Sequence, residues 1–209
     1  MIDSFRQVCV IGAGTMGNGI AHTFAQHGYG VRLVDVSAAA LERGLATITA
    51  NLDRQVKKGS LDEAAKAATL ARIRATPALA EGCEGAALVV EAASEQVDTK
   101  LALFQELGRL APPAAILATN TSSISITRIA AASGRPSQVV GMHFMNPVPL
   151  MKLVEVIRGY DTSDEVAQAV LALSQDLGKE AVVMNEYPVF VANRMLMPTI
   201  KEVVYTLYE

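Results

Sequence analysis

Short apolar runs alternate with longer amphipathic stretches over most of the chain. The runs of strand length lie at residues 8–11, 31–34, 73–75, 87–92 and 116–118. Helical spacing of apolar residues occupies residues 20–27, 98–107 and a stretch that ends near residue 132, while Ser37 can cap a long helix that Gly59 ends. Strands that alternate with helices predict an α/β fold of the Rossmann type, with a doubly wound, mostly parallel sheet.

The pattern changes after Pro136. The apolar runs at residues 139–143 and 153–157 are separated by a connection too short for a crossover helix, so we expect them to pair antiparallel. A helix at residues 164–177 and an edge strand at residues 181–183 follow. Beyond Pro188, residues 190–208 have the pattern of an apolar helix that Pro198 should kink.

A glycine loop connects the first predicted strand to the first helix. Gly12, Gly14 and Gly17 form a GxGxxG pattern, and Asp35 stands at the end of the next strand. In this context the glycines allow a tight turn, close approach of a pyrophosphate and close helix packing, while the acid accepts hydrogen bonds from a ribose. No arginine follows Asp35 to pair with a 2'-phosphate, which favours NAD over NADP. The loop alone does not exclude FAD, or a tight turn without a ligand.

One histidine stands apart from the other two. His143 ends a predicted strand, and in the antiparallel arrangement Glu155 lies opposite it. A carboxylate beside an imidazole fixes its tautomer and orients the ring, as a general base for alcohol oxidation requires. A structural histidine is an equally good interpretation of these two residues taken alone. We expect His22 and His27 to lie on the surface of the first helix.

Composition narrows the classes of function. The formal charge is −3 with scattered basic residues, which argues against a nucleic-acid partner. We expect no secretory signal in residues 1–12 and no apolar run long enough to cross a bilayer, and therefore no membrane partner. The two cysteines do not form a CxxC pair, which argues against a metal site and favours the cytoplasm.

Five longer motifs resemble those of a known family. They are VIGAGTMG (residues 10–17), ATNTSS (118–123), GMHFMNPVP (141–149), KLVEVI (152–157) and FVANR (190–194). On these residues the chain resembles the 3-hydroxyacyl-CoA dehydrogenase family over essentially its whole length. The resemblance implies reversible, NAD-dependent oxidation of a (3S)-3-hydroxyacyl-CoA in fatty-acid metabolism, with a short-chain substrate such as 3-hydroxybutyryl-CoA.

The resemblance also implies roles for individual residues. His143 matches the catalytic base and Glu155 its acidic partner. Ser122 matches a serine that touches both substrate and nicotinamide, and Asn193 an asparagine that helps to hold the reacting oxygen. The residues that match cofactor contacts are Gly12, Ala13, Gly14, Thr15, Met16, Gly17, Asp35, Glu95, Lys100, Ser122 and Asn146.

Two further positions match contacts to the coenzyme A portion of the substrate. They are Asn51 and Lys58, which with Arg54 fall at i, i+7 and i+3 and so share one face of the predicted helix. Without the resemblance, these residues have a simpler interpretation as a solvated helix end whose cations complement the helix dipole.

The resemblance finally implies an organisation into two parts. Residues 1–184 are expected to form the NAD-binding domain, and residues 185–209 a hinge and the first helix of a C-terminal helical domain that the chain mostly lacks. That helix should pack against a second copy, giving a homodimer, or be poorly ordered. Val189 and Lys201 depart from the family pattern, since glycine usually follows the hinge proline and asparagine usually precedes the glutamate at the position of Glu202. A catalytically impaired NAD-binding homologue is therefore an alternative.

Overall fold

The computed structural model describes residues 6–208, and within them eight strands form one sheet in the order β3-β2-β1-β4-β5-β6-β7-β8. Neighbouring strands are parallel except for β6 and β7, which pair antiparallel. The strands are β1 (Gln7–Ile11), β2 (Gly30–Val34), β3 (Ile73–Thr76), β4 (Leu88–Glu91), β5 (Ile116–Thr119), β6 (Val139–Phe144), β7 (Leu153–Arg158) and β8 (Glu180–Asn185).

Helices connect the strands and cover both faces of the sheet. They are α1 (Thr15–Gln26), α2 (Ala38–Lys57), α3 (Glu63–Ala71), α4 (Leu79–Cys83), α5 (Val97–Leu110), α6 (Ile126–Ser133), α7 (Asp164–Asp176) and α8 (Phe190–Thr206). Ser37 caps α2 as expected, because its side chain accepts a hydrogen bond from the N–H of Ala40. The sequence pattern did not reveal α3 and α4.

The apolar residues of the strands divide between two cores. In β1, Val8 and Val10 face one layer of helices with Phe24, while Cys9 faces the other with Phe104. Burial on both faces explains why the central strands are almost continuously apolar, as parallel strands between two helical layers are. The predicted doubly wound, mostly parallel fold is confirmed.

The antiparallel pair has the register that the sequence predicts. His143 pairs with Glu155 across β6 and β7, and β8 pairs parallel with β7 as the edge strand. This arrangement places both ends of the connecting loop, residues 145–152, at the same edge of the sheet. The loop is therefore anchored by the two strands that carry His143 and Glu155.

The hinge between β8 and α8 has an unusual backbone. Val189 has φ 59° and Phe190 has φ 54°, both in the left-handed region. Glycine favours this conformation, but residue 189 is a β-branched valine. Phe190 is buried, but the rest of α8 exposes large apolar side chains, among them Met195, Leu196, Ile200, Val203 and Leu207. The division of the chain near residue 184 stays a prediction, and no helix within residues 6–208 is long and apolar enough to cross a membrane.

Replacing Val189 by glycine is expected to stabilise the hinge. A left-handed conformation costs an L-residue roughly 1–2 kcal/mol, and glycine avoids that cost while losing more backbone entropy, so we expect a net gain of about 1 kcal/mol. Hydrogen exchange of the α8 amides should become slower in V189G. V191G, a change at an exposed position inside α8, should instead make this exchange faster, since glycine weakens a helix. Equal exchange in V189G and the unmodified protein would show that the valine is accommodated without strain.

Candidate active site

The glycine loop between β1 and α1 has the geometry of a dinucleotide cradle. Gly12 has φ 98°, and a Cβ atom there would lie 2.5 Å from the carbonyl oxygen of Ala92. A Cβ atom on Gly17 would lie 1.7 Å from the carbonyl oxygen of Gly12. The helix α1 can therefore pack this closely against the loop only because residue 17 is glycine. At Gly14 the space is open for 4 Å, which leaves room for a ligand to reach the backbone.

A cavity of about 800 Å³ lies against this loop. Its lining includes Gly12, Gly14, Thr15, Met16 and Asp35, with Leu79 and Leu103 as apolar walls. Ala13 donates its N–H to Oδ2 of Asp35 over 2.8 Å, so the acid stands at the mouth of the loop. An open glycine, a helix N-terminus and a carboxylate beside apolar walls fit the phosphates, ribose and adenine of NAD.

His143 and Glu155 form a buried hydrogen-bonded pair. His143 Nδ1 lies 2.8 Å from Glu155 Oε2, and both side chains are almost fully buried. The other carboxylate oxygen accepts the N–H of Ala192, in the first turn of α8, over 2.8 Å. Because a carboxylate can only accept, Nδ1 must donate, and in the neutral imidazole this leaves the lone pair on Nε2. The ring of Phe190 lies 5.7 Å from the imidazole, measured between centroids.

The loop after β5 lies beside this pair. The side-chain oxygen of Asn120 accepts the N–H of Phe144 over 2.9 Å, which ties the loop to the end of β6. Ser122 follows two residues later and is half-buried. It does not cap α6, because Ser125 is the capping residue of that helix. Asn193 is half-buried, next to Ala192 in α8.

A buried ion pair lies beneath the same loop. The Lys100 ammonium is 2.7 Å from Glu91 Oε1 and 3.3 Å from Glu95 Oε2, and Glu91 also accepts the hydroxyl of Thr119. The sequence pattern does not reveal the role of Glu91, because a single polar residue after an apolar run looks like the end of a strand. The burial of Glu95 disfavours its ionisation, but the Thr121 hydroxyl, Lys100 and the Ser122 N–H outweigh this effect and hold the pKa of Glu95 below its usual value.

The remaining predicted residues lie nearer the protein surface. Asn146 is exposed in the loop between β6 and β7. Arg54 donates to the side-chain oxygen of Asn51 over 2.9 Å on α2, so the structure brings these two residues together. Lys58 is exposed at the C-terminal end of the same helix.

The expectation for one histidine was wrong. His22 is buried, because α1 packs on several sides and buries nine of its residues. Its Nε2 lies 3.4 Å from the Gln55 amide, and burial lowers the pKa of His22. His27 is exposed as expected, with Nδ1 2.8 Å from the carbonyl oxygen of Thr23. Across the described part of the chain, no cluster of three histidine, cysteine or acidic side chains could hold a metal ion.

Comparison with known proteins gives a consistent result. The family model described as 3-hydroxyacyl-CoA dehydrogenase, NAD binding domain, matches residues 7–187. A 3-hydroxybutyryl-CoA dehydrogenase of Bradyrhizobium diazoefficiens is 50% identical over 206 residues, 98% of this chain and 69% of the relative. One of Clostridioides difficile is 44% identical over 198 residues, covering 95% and 70%. The crystal structure of a (S)-3-hydroxybutyryl-CoA dehydrogenase from Ralstonia eutropha has a TM-score of 0.92 at 46% identity, covering 95% of this chain and 70% of that one.

Removing the charge of Glu91 is expected to destabilise the fold strongly. E91Q leaves the buried ammonium of Lys100 without its nearest carboxylate, which should lower the free energy of unfolding by about 3 kcal/mol. In urea unfolding, the double variant E91Q/K100M should recover part of this loss, because the buried ammonium is removed as well and the remaining carboxylate of Glu95 is partly exposed. E84Q removes the exposed partner of Arg32 and should change stability by less than about 1 kcal/mol. Equal stability of E91Q and E84Q would contradict the importance of the buried pair.

Proposed function

Because the chain belongs to the 3-hydroxyacyl-CoA dehydrogenase family, we propose that it oxidises the 3-hydroxyl group of a (3S)-3-hydroxyacyl-CoA to a ketone. A short-chain substrate such as 3-hydroxybutyryl-CoA is proposed. The observation that carries the proposal is the His143–Glu155 hydrogen bond of 2.8 Å, at the carboxyl end of the strand that the Asn120 loop adjoins. NAD, when bound, supplies the nicotinamide carbon that accepts the hydride leaving C3.

The proton moves to His143 in this mechanism. Nε2 accepts the proton of the C3 hydroxyl, while Nδ1–H remains hydrogen-bonded to Glu155 and keeps the ring in the required tautomer. The positive charge that develops on the imidazole is stabilised by the carboxylate, whose second oxygen is held by Ala192. Both oxygens of the carboxylate are therefore engaged: one binds the base, and the other binds the backbone N–H that holds the carboxylate in place.

The other predicted residues are assigned to binding. We propose that Ser122 and Asn193 hold the reacting oxygen, and that Asn51 and Lys58 contact the coenzyme A portion. The glycine loop, with Ala13, Thr15, Met16 and Asp35, would bind the adenosine and phosphate part of NAD. Glu95, Lys100, Ser122 and Asn146 would contact or shape the nicotinamide side, where the ion pair of Lys100 supports Glu95 from below.

One observation favours a second candidate, an NAD-binding homologue with impaired catalysis. Val189 occupies a left-handed position where the family usually has glycine, and this hinge leads to Asn193. The contact of Ala192 with Glu155 favours the active enzyme, because it keeps the start of α8 beside the base. Turnover of acetoacetyl-CoA, compared with longer 3-ketoacyl-CoAs, separates the two candidates. Measurable NADH binding without turnover of any chain length would favour the impaired homologue.

We further propose that the chain forms a homodimer through α8. Leu196, Ile200, Val203 and Leu207 follow i, i+4, i+7 and i+11 spacing, so they lie along one face, and all are exposed in the single chain. A two-fold contact would bury this face on both copies. A cytoplasmic location is also proposed, which the free thiols of Cys9 and Cys83 support.

Substitution of His143 tests the proposed chemistry. H143Q removes the base but retains a polar side chain, so kcat should fall by about 10²–10⁴-fold. The affinity for NADH should change little, because the adenosine end of the cavity is untouched. H27Q alters an exposed histidine and serves as the matched control. Assays of NADH oxidation with acetoacetyl-CoA measure turnover, and near-normal turnover of H143Q would contradict the assignment.

The oligomeric state tests the role of α8. Sedimentation equilibrium at micromolar concentrations should give a mass twice that of one chain. The double variant L196D/I200D places charges in the apolar face and should be monomeric, whereas K201D, at an exposed position on the other side of α8, should remain dimeric. A monomeric unmodified protein at all concentrations would contradict the proposed dimer.

A further inference from the structure

Lys179 is a buried cation next to the loop that joins the two strands of the site. It precedes β8 directly and is only 8% exposed. Its ammonium donates to the carbonyl oxygens of Val148 over 2.6 Å and of Met151 over 2.9 Å. Within residues 6–208 no carboxylate forms an ion pair with it, and burial lowers the pKa of Lys179.

Both carbonyl groups belong to the loop of residues 145–152. This loop starts after β6, carries Asn146 and ends where β7 begins. Within the loop, the N–H groups of Leu150 and Met151 donate to the carbonyl oxygen of Pro147 over 3.0 and 2.9 Å. The ammonium of Lys179 binds two other carbonyl groups of the same turn, those of Val148 and Met151. It therefore fixes the turn against the edge of the sheet.

The loop also contacts the helix that follows the glycine loop. Val148 is buried, and a Cβ atom at Gly19 of α1 would come within 2.9 Å of its Cβ atom. A change in the position of the loop would therefore alter its packing against α1 and shift the residues that flank Val148. The loop is held from one side by Lys179 and from the other by α1.

The use of a lysine here needs an explanation. Burying an ammonium without a carboxylate is costly, and only strong hydrogen bonds can offset that cost. An apolar side chain of similar length would fill the same space without the cost. The charged group therefore acts here as the donor of two hydrogen bonds to carbonyl oxygens, and both bonds fix the position of one loop.

We propose that Lys179 is a positioning residue for the nicotinamide half of the cofactor, acting through the loop of residues 145–152. The proposal rests on the proposed function, because it uses the assigned roles of Asn146 and His143. Lys179 itself does not touch the reacting atoms. It holds the loop backbone that runs from His143 and Asn146 to β7. Its loss should therefore affect the nicotinamide end of the site more than the adenosine end.

A comparison of two ligands tests this role. NADH and ADP-ribose share the adenosine and phosphate part, but only NADH carries the nicotinamide. K179M loses both carbonyl contacts, and we expect the displaced loop to cost NADH about one hydrogen bond to the nicotinamide half, or about ten-fold in affinity, while ADP-ribose binds within about two-fold of the unmodified protein. K179R retains a cationic donor and should recover part of the NADH affinity and of kcat.

The matched control is K152M. Lys152 is exposed at the end of the same loop, with Glu180 as a partner at 3.5 Å, so this variant removes a nearby charge without touching the two carbonyl contacts. It should bind both ligands normally. If K179M does not fold, K179Q takes its place, because this shorter, neutral side chain cannot keep both carbonyl contacts, and the loss should again affect NADH and not ADP-ribose.

Each outcome distinguishes the two proposals. Unchanged NADH affinity in the Lys179 variant, or an equal loss for both ligands, would overturn the positioning role while the proposed function stands. Unmodified protein that binds NADH no more tightly than ADP-ribose and has no turnover would overturn the proposed function, and the role of Lys179 with it.

Discussion

The site depends on how the Glu155 carboxylate is shared between two parts of the chain. One oxygen binds the imidazole of His143 on β6, and the other binds the backbone N–H of Ala192 at the start of α8. A buried carboxylate must be fully hydrogen-bonded, because each missing partner leaves a desolvated charge. The same requirement therefore orients the base and attaches α8 to the sheet, so the position of Asn193 follows from the chemistry of Glu155.

Other charged side chains near this edge of the sheet, buried or partly exposed, also connect separate elements. Glu91 and Lys100 join β4 to α5, and the loop after β5 rests on Glu95. Glu186, after β8, accepts the N–H of Thr127 in α6 over 3.0 Å. Burial disfavours ionisation of Glu186, but hydrogen bonds from Ser125, Thr127 and Ile126 outweigh it and lower the pKa of that carboxyl. These charged side chains thus join neighbouring elements through polar contacts in addition to the apolar cores.

The sequence was sufficient for the strands, their main pairing and the facing of His143 and Glu155. Apolar periodicity and the length of the connection determine these features, since a shift of one residue would exchange the two faces of a strand. It was insufficient for α3, whose only buried residue is Thr69, because a helix with so little buried surface has a weak pattern. It also failed for His22 and Glu91. Their burial depends on partners that are distant in sequence, Gln55 and Lys100, and a single polar residue does not reveal such a partner.

The strained hinge can be understood from the contacts on its two sides. Before Val189, Glu186 is fixed to α6, and after it Phe190 is buried beside His143 while Ala192 is bound to Glu155. The few residues between these anchors must reverse direction, and a left-handed turn achieves this in a short span. The surroundings determine the backbone at residue 189 more strongly than the valine does, which is how a strained residue persists in a folded protein. It follows that the residue type at position 189 should govern the free energy of the hinge more than the geometry of the site that it connects.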